Sequence, residues 1–236
     1  MTARIDHLIV LAASLDEGAA WCEATLGVIP GPGGEHPLMG THNRLLRIAT
    51  VNFPRAYFEI IAINPIASHA HPTRARRWFD MDNETLRGQI ASQGPQLVHF
   101  VASVPDVHAA VAVLAAQGID RGSVIQASRM TPRGLLQWQM TVRDDGQRLF
   151  DGALPTLIEW DVDQGNTGRG THPAGGMAEC GVTLQSLAVT HPQAAELRSA
   201  YEAIGLQGVA IEQGLPNMTA TLQTPRGLVT LESKVI

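Results

Sequence analysis

Four residues of types that bind metal ions recur at corresponding places in two stretches of the chain. His7 and Glu59 each lie within an apolar segment, and His99 and Glu159 do the same in a later stretch of similar length. One imidazole and one carboxylate from each stretch would present two nitrogens and two oxygens to a single divalent ion. Such a ligand set suits zinc, nickel, iron, manganese or cobalt better than calcium.

The pattern around these residues predicts a repeated β-α-β-β-β unit, which decides the fold and the site together. In the first unit, Ser14 or Asp16 can cap a helix that Gly27 ends, and Gly31 to Gly34 predict a turn-rich linker. Apolar stretches predict strands near 5–11, 44–49 and 56–63 in the first unit, and near 97–104, 135–142 and 155–162 in the second, which has its helix at 106–117.

A third unit is predicted from Val182 onwards, with a helix at 193–204. Ser186 falls where His7 and His99 stand in the other units, while Glu232 matches Glu59. Since the third unit has lost its imidazole, we expect Glu232 to be structural. The predicted organisation is a first module (1–63), a linker with a helical segment (64–96), a second module (97–162), a second linker (163–181) and a third, degenerate module (182–236).

Composition narrows the class of protein. The 236 residues are 44% hydrophobic and 17% charged, which is typical of a globular protein with a real core. A formal net charge of −5 gives no reason to expect nucleic acid as a partner, and the chain has no apolar run that could span a membrane. Two cysteines and no recognisable secretory leader predict a cytoplasmic protein. The apolar strands of an unpaired third module need cover, from this chain or from a second copy in a homodimer.

Several motifs resemble those of one known superfamily. These motifs are Asp6-His7-Leu8, residues 31–37, Gly40-Thr41-His42-Asn43, residues 57–61 and Leu157-Ile158-Glu159-Trp160. With the repeat, they resemble the vicinal oxygen chelate (glyoxalase/bleomycin resistance/extradiol dioxygenase) superfamily, and more narrowly its uncharacterised glyoxalase-like domain branch. The resemblance implies an α+β fold in which two modules pair into a partly closed, barrel-like sheet around a cavity. It also implies that His7, Glu59, His99 and Glu159 point inward as metal ligands.

Other polar and aromatic residues have two interpretations each. His42 either lines the cavity as an acid/base group or caps its loop, and we favour the cavity. His36 is expected to be structural, and His172 is assigned no role. Trp138 and Trp160 either wall the cavity or pack in the core. The basic run at 69–77 predicts a solvated helix face or, alternatively, an arginine for a substrate carboxylate.

Three functions follow from these residues. The first is a metal-dependent enzyme of the lyase or isomerase type, acting on a small molecule whose neighbouring oxygens chelate the ion, with Glu59 or Glu159 shuttling a proton. The second is a dioxygenase, because a metal ion bound only by His7, His99 and Glu159 would have two histidines and one carboxylate, a ligand set that suits Fe(II). The third is a non-catalytic binding or resistance protein without metal. Taken singly, a histidine or glutamate in an apolar strand is more often a hydrogen-bonded core residue, so the recurrence of all four carries the metal hypothesis.

Overall fold

The predicted order of strand, helix and strands is present three times in the computed structural model, which describes residues 2–67, 76–131, 134–161 and 172–233. The first module contains β1 (Arg4–Leu11), α1 (Leu15–Leu26), β2 (Gly31–His36), β3 (Thr41–Arg47) and β4 (Tyr57–Ile63). After α2 (Glu84–Gln93), the second contains β5 (Gln96–Ser103), α3 (Val107–Ala115), β6 (Ser123–Thr131), β7 (Gly134–Val142) and β8 (Thr156–Trp160). The third contains β9 (Thr183–Thr190), α4 (Ala194–Ile204), β10 (Val209–Glu212), β11 (Asn217–Thr224) and β12 (Gly227–Glu232).

The helices begin and end where local chemistry dictates. Ser14 accepts a hydrogen bond from Glu17 N at the start of α1, and Gly27 ends it in the left-handed conformation with φ 77°. The second-module helix is capped by Asp106, which accepts a hydrogen bond from Ala109 N. In the described ranges, no helix is long and apolar enough to cross a membrane.

Strand β2 corrects the prediction of a turn-rich linker at Gly31 to Gly34. It lies at the end of its sheet and pairs antiparallel with β3, a position where proline is tolerated. Glycine is required at position 33, because an added Cβ would lie 2.2 Å from the backbone oxygen of Asn43. The close approach of two backbones therefore explains a composition that normally indicates a turn.

The first two modules share one eight-stranded sheet with the order β2-β3-β4-β1-β5-β8-β7-β6. Each first strand pairs parallel with the last strand of its own module, and the antiparallel pair β1–β5 joins the two halves. The end strands β2 and β6 approach each other, so that a Cβ on Gly34 would lie 2.6 Å from Nη1 of Arg129. The sheet is therefore a nearly closed barrel, and the predicted α+β fold is confirmed.

Alternation along the strands creates two apolar layers, which we call the outer core and the inner core. From β1, Leu8 and Val10 enter the outer core between the sheet and the helices. Ile9 and Leu11 enter the inner core inside the barrel, together with side chains from residues 78–90. Because neighbouring residues of a strand face opposite layers, register decides which polar side chains reach the inside.

The third module forms a separate sheet with the order β10-β9-β11-β12. Its strand β12 lies at the edge and does not pair with β9, whereas β4 of the first module pairs with β1. Glu232 is exposed on this edge strand, so it does not occupy a place equivalent to Glu59. Leu187, Leu197 and Tyr201 join the outer core, so the module is covered by its own chain and needs no second copy for that purpose.

We expect Tyr201→Phe to destabilise the whole chain, because the buried Tyr201 hydroxyl of α4 donates to the carbonyl oxygen of Ala153 at 2.5 Å. Leaving that carbonyl without its donor should lower the free energy of unfolding by about 1–3 kcal/mol, measured by urea denaturation. The exposed neighbour substitution Glu202→Gln should change it by less than about 0.5 kcal/mol. Equal effects of the two substitutions would contradict this account of how the third module is attached.

Candidate active site

The site is built on a buried carboxylate and imidazole at consecutive positions of β1. Neighbours on a regular strand face opposite sides, but the pairing of β1 with β5 shifts register between Ile5 and His7. This irregularity allows the side chain of Asp6 to reach His7, whose Nδ1 lies 2.7 Å from Asp6 Oδ1. Both residues are buried, with exposures of 0% and 4%.

Asp6 also accepts two hydrogen bonds from distant parts of the chain. Trp160 Nε1 on β8 donates to Asp6 Oδ2 at 2.9 Å, and Nε2 of His172 lies 3.0 Å from the same oxygen. Burial would raise the pKa of Asp6, but the hydrogen bonds with His172 and His7 outweigh it and hold that pKa well below its usual range. His172, to which the sequence assigned no role, thus helps to fix the site.

The structure brings together two of the four expected ligands, His7 and Glu59 of the first module. Nε2 of His7 lies 3.2 Å from Glu59 Oε2, and the imidazole stacks on Tyr57 with ring centroids 4.4 Å apart. Burial would lower the pKa of His7, but hydrogen bonds to Asp6 and Glu59 raise it to about 9. Burial would raise the pKa of Glu59, and the contact with His7 lowers it instead. At neutral pH the pair is therefore an imidazolium and a carboxylate.

The other oxygen of Glu59 is held by Asn43, whose Nδ2 donates to Oε1 at 2.5 Å. Gly34 N donates to Asn43 Oδ1 at 2.7 Å, which sets the orientation of the amide. Nε2 of His36 lies 3.9 Å from Glu59 Oε1, and its Nδ1 lies 3.0 Å from Thr41 Oγ1. Burial lowers the pKa of His36 to about 4, so this imidazole is neutral. His36, expected to be structural, is a member of the site.

His42 lies elsewhere, which corrects the expectation that it lines the cavity. Thr41 and Asn43 are buried on the inner side of β3, and alternation places His42 on the side facing α1. Burial lowers the pKa of His42, and the charges that act on it belong to Glu35, Arg44 and Asp16 rather than to the site. Within the Gly-Thr-His-Asn motif, the asparagine reaches the site.

His99 is a core residue with both ring nitrogens occupied. Its Nδ1 lies 2.8 Å from the carbonyl oxygen of Gly152, and Thr156 N donates to its Nε2 at 3.1 Å. Burial and the charge of Arg121 hold its pKa well below the usual value. A neutral ring that donates through Nδ1 and accepts at Nε2 has no lone pair left for a metal ion.

Glu159 faces away from His7. On β8, Ile158 enters the inner core, so Glu159 points to the opposite side, where it accepts a hydrogen bond from Val107 N at 2.8 Å. It thereby satisfies a free amide in the first turn of α3, and it lines a separate cleft of about 610 Å³. The four predicted ligands do not converge, and among the described residues no group of three or more His, Cys, Asp or Glu is arranged to hold a metal ion.

The His7–Glu59 pair lies at a small cavity of about 30 Å³, which has room for a water molecule or two. Trp138 and Trp160 belong to its wall, and the cavity is also lined by His36, Asn43, Tyr57, Trp78, Phe79, Arg129, Leu136, Met140 and Ile158. Within the described part of the chain, Nε and Nη1 of Arg129 are buried without a hydrogen-bond partner. The cavity thus contains a cation with unused donors.

Of the basic run, only Arg76 and Arg77 lie among the described residues, and neither lines this cavity. Residues 68–75, including His69, His71 and Arg74, lie outside the described residues. Arg77 pairs with Asp82, and the same carboxylate accepts from Arg77 N. The arginine that reaches the cavity is Arg129 of β6, a strand that the sequence analysis did not predict.

The chain belongs to the glyoxalase-like domain family, within the vicinal oxygen chelate superfamily. The family model described as "Glyoxalase-like domain" matches residues 5–205, which span the first two modules and the beginning of the third. No curated protein matches the chain. The resemblance predicted from the motifs is therefore confirmed at the level of the family.

Solved structures share the fold. A hypothetical protein from Staphylococcus aureus is 16% identical with a TM-score of 0.58, and the match covers 92% of this chain and 88% of that one. Methylmalonyl-CoA epimerase from Streptomyces coelicolor, in complex with 2-nitronate-propionyl-CoA, is 15% identical with a TM-score of 0.41, over 68% and 97% of the two chains. The methylmalonyl-CoA epimerase from Mycobacterium tuberculosis is 16% identical with a TM-score of 0.37, and the match covers 66% of this chain and 85% of that one. The likeness to the Staphylococcus aureus protein concerns the fold alone.

We expect the stability of the chelator-treated protein to fall as the pH rises from 6.5 to 9. A histidine whose pKa folding raises from 6.5 to about 9 adds stability that is full below 6.5 and is lost as the pH passes 9. The loss should be on the order of 3 kcal/mol, measured by urea denaturation at each pH. His7→Gln should abolish this dependence, and the substitution of an exposed histidine, His108→Gln, should preserve it. A flat profile for the unsubstituted protein would overturn the assignment of charge.

Proposed function

We propose that the chain is an enzyme of the lyase or isomerase type, which moves a proton on a small, negatively charged, oxygenated molecule bound at the His7–Glu59 cavity. One observation carries the proposal: a buried imidazolium and carboxylate lie 3.2 Å apart at the wall of the cavity. Paired acid and base groups within hydrogen-bond reach of one point are what proton transfer requires.

Each member of the pair has a role that its surroundings support. Glu59, ionised and oriented by Asn43, would accept the proton from the carbon beside the substrate carbonyl. His7, kept protonated by Asp6, would donate a hydrogen bond to the oxygen on which negative charge develops. Return of the proton from Glu59 to another carbon gives an isomer, and loss of a leaving group from the enolate gives the lyase outcome.

The charge and unused donors of Arg129 support the proposal that the substrate is negatively charged. The buried Nε and Nη1 of Arg129 are donors without a partner in the described residues, and each can donate a charge-assisted hydrogen bond to an anionic oxygen. The cavity of about 30 Å³ is too small for such a substrate. Binding must therefore move Arg129 or the aromatic side chains beside it.

The predicted metal centre needs revision before it can join this proposal. The four-ligand set does not fit, since His99 is saturated by hydrogen bonds and Glu159 faces α3. A divalent ion at this cavity would keep His7 and Glu59 from the predicted set. It would have to displace the Nε2 proton of His7, and it would polarise the substrate oxygens. The dioxygenase alternative loses two of its three ligands for the same reason.

The remaining alternative is a non-catalytic binding protein that uses the same cavity. It would need Arg129 and the aromatic wall, but not an ionised Glu59.

Cys22 and Cys180 are free thiols, which supports the proposed cytoplasmic location. A homodimer remains a proposal from the sequence alone.

Proton transfer can be tested without knowing the substrate. Small 2-oxo and 2-hydroxy carboxylates would be incubated in D2O. Proton NMR would follow exchange of the hydrogen on the carbon next to the ketone of a 2-oxo acid, or on the hydroxyl-bearing carbon of a 2-hydroxy acid. We expect Glu59→Gln to reduce exchange at least about 100-fold, because it removes the base but keeps the hydrogen bond with Asn43. Glu35→Gln, at an exposed position on β2, is the matched control. A ligand that binds tightly to the unsubstituted protein without any exchange would favour the binding-protein alternative.

Metal binding is tested by titrating chelator-treated protein with Zn²⁺ or Mn²⁺ in a calorimeter. We expect His7→Gln to weaken binding about tenfold or more, while folded His99→Gln keeps the Kd of the unsubstituted protein. Equal weakening by both substitutions would restore the four-ligand centre. Absence of binding to the unsubstituted protein would remove the metal from the proposal and leave the proton-transfer test untouched.

A further inference from the structure

Arg121 is a buried cation outside the His7–Glu59 cavity. It lies in the turn between α3 and β6, where Asp120 Oδ1 accepts from Gly122 N and Gly122 adopts φ 77°. A Cβ at Gly122 would lie 2.6 Å from Arg143 Cα, so glycine is required there. The turn directs Arg121 into the protein, and only 3% of this residue is exposed.

The guanidinium of Arg121 has unused donors. Its Nη2 donates to Thr156 Oγ1 at 2.9 Å, but Nε and Nη1 are buried without a hydrogen-bond partner in the described ranges. Burial and the nearby Arg143 lower the pKa of Arg121 to about 10, so it remains a cation at neutral pH. A buried charge without a counter-ion is among the costliest features a fold can contain.

The side chains around Arg121 do not neutralise it. Beside it lies a cavity of about 10 Å³, which Arg143 and Arg148 also line, and none of the described residues that line it is an Asp or Glu. The nearby carboxylates are engaged by the other two arginines, since Arg143 pairs with Asp120 and Asp145, and Arg148 pairs with Asp80. Three arginines thus line the cavity, and among the described residues no acidic side chain lines it.

We propose that this cavity binds a single chloride-sized, monovalent anion, held by the guanidinium of Arg121 through one of its unused donors. A cavity of this size has room for one water-sized particle, which excludes sulfate and phosphate. Water in the same place would accept a hydrogen bond but would leave the charge of Arg121 uncompensated. Trp78 and Phe79 line both this cavity and the His7–Glu59 cavity, so the anion would stabilise a wall that the two share. The inference does not depend on the proposed enzyme activity.

The first test compares melting temperatures in sodium chloride and in sodium gluconate at equal ionic strength. We expect chloride to raise the Tm of the full chain saturably, by about 3–6 °C at roughly ten times its Kd. Arg121→Met should lose this response, whereas Arg87→Met, which removes an exposed arginine from α2, should keep it. A Tm that responds identically to the two salts, or a response that Arg121→Met retains, would overturn the proposal.

The second test locates the anion directly and needs no variant. Crystals of the unsubstituted protein soaked in sodium bromide should give an anomalous scattering peak in this cavity, within hydrogen-bond distance of the Arg121 guanidinium. Density without an anomalous signal at that place would identify water and would refute the anion site. This measurement also decides the question if Arg121→Met does not fold.

Discussion

The hydrogen bonds to the buried carboxylate of Asp6 are the interaction on which the site depends. An ionised carboxylate inside a protein is tolerated only when its oxygens are satisfied, and Asp6 receives donors from His7, Trp160 and His172. These residues come from the first strand of one module, the last strand of the other and the segment before the third module. The same carboxylate therefore ties the module pair together and directs Nε2 of His7 towards Glu59.

Charge alternates along the groups that follow from Asp6. The carboxylate of Asp6 stabilises the protonated form of His7, whose positive charge keeps Glu59 ionised. His36, next along, is neutral because burial outweighs the attraction of Glu59. In this cavity, Nε and Nη1 of Arg129 have no acid as a hydrogen-bond partner among the described residues. Since these residues balance their charges as far as Glu59, the unused donors of Arg129 support the proposal of an anionic ligand rather than a neutral one.

The sequence predicted the part of the fold that local rules determine. Helix caps such as Ser14 and Gly27 and the apolar alternation of β1 and β4 depend on neighbouring residues, and His7 and Glu59 follow from them. The partners of Asp6 could not be predicted, because Trp160 and His172 approach it only through the tertiary fold. Strand β2 was not predicted, because its Gly and Pro residues normally indicate a turn. Here glycine is needed where the backbone of β2 lies close to that of β3. Asn43 was within reach of the sequence, since alternation from a buried Thr41 favours it over His42.

The repeat predicted that the His and Glu residues of the two modules occupy equivalent positions in the sequence. Equivalent positions do not determine on which face of a strand a side chain lies. A shift of one residue turns every side chain to the other side, and β1 has a register irregularity at Asp6 whereas Glu159 on β8 faces α3. The second module has used its polar residues for its own fold: His99 binds Gly152 and Thr156, and Glu159 satisfies the first turn of α3. What it gives to the cavity is Arg129 and the indoles of Trp138 and Trp160. The two modules are therefore not two halves of a symmetric centre. The first supplies the imidazole of His7 and the carboxylate of Glu59, and the second supplies the charge of Arg129 and an aromatic wall.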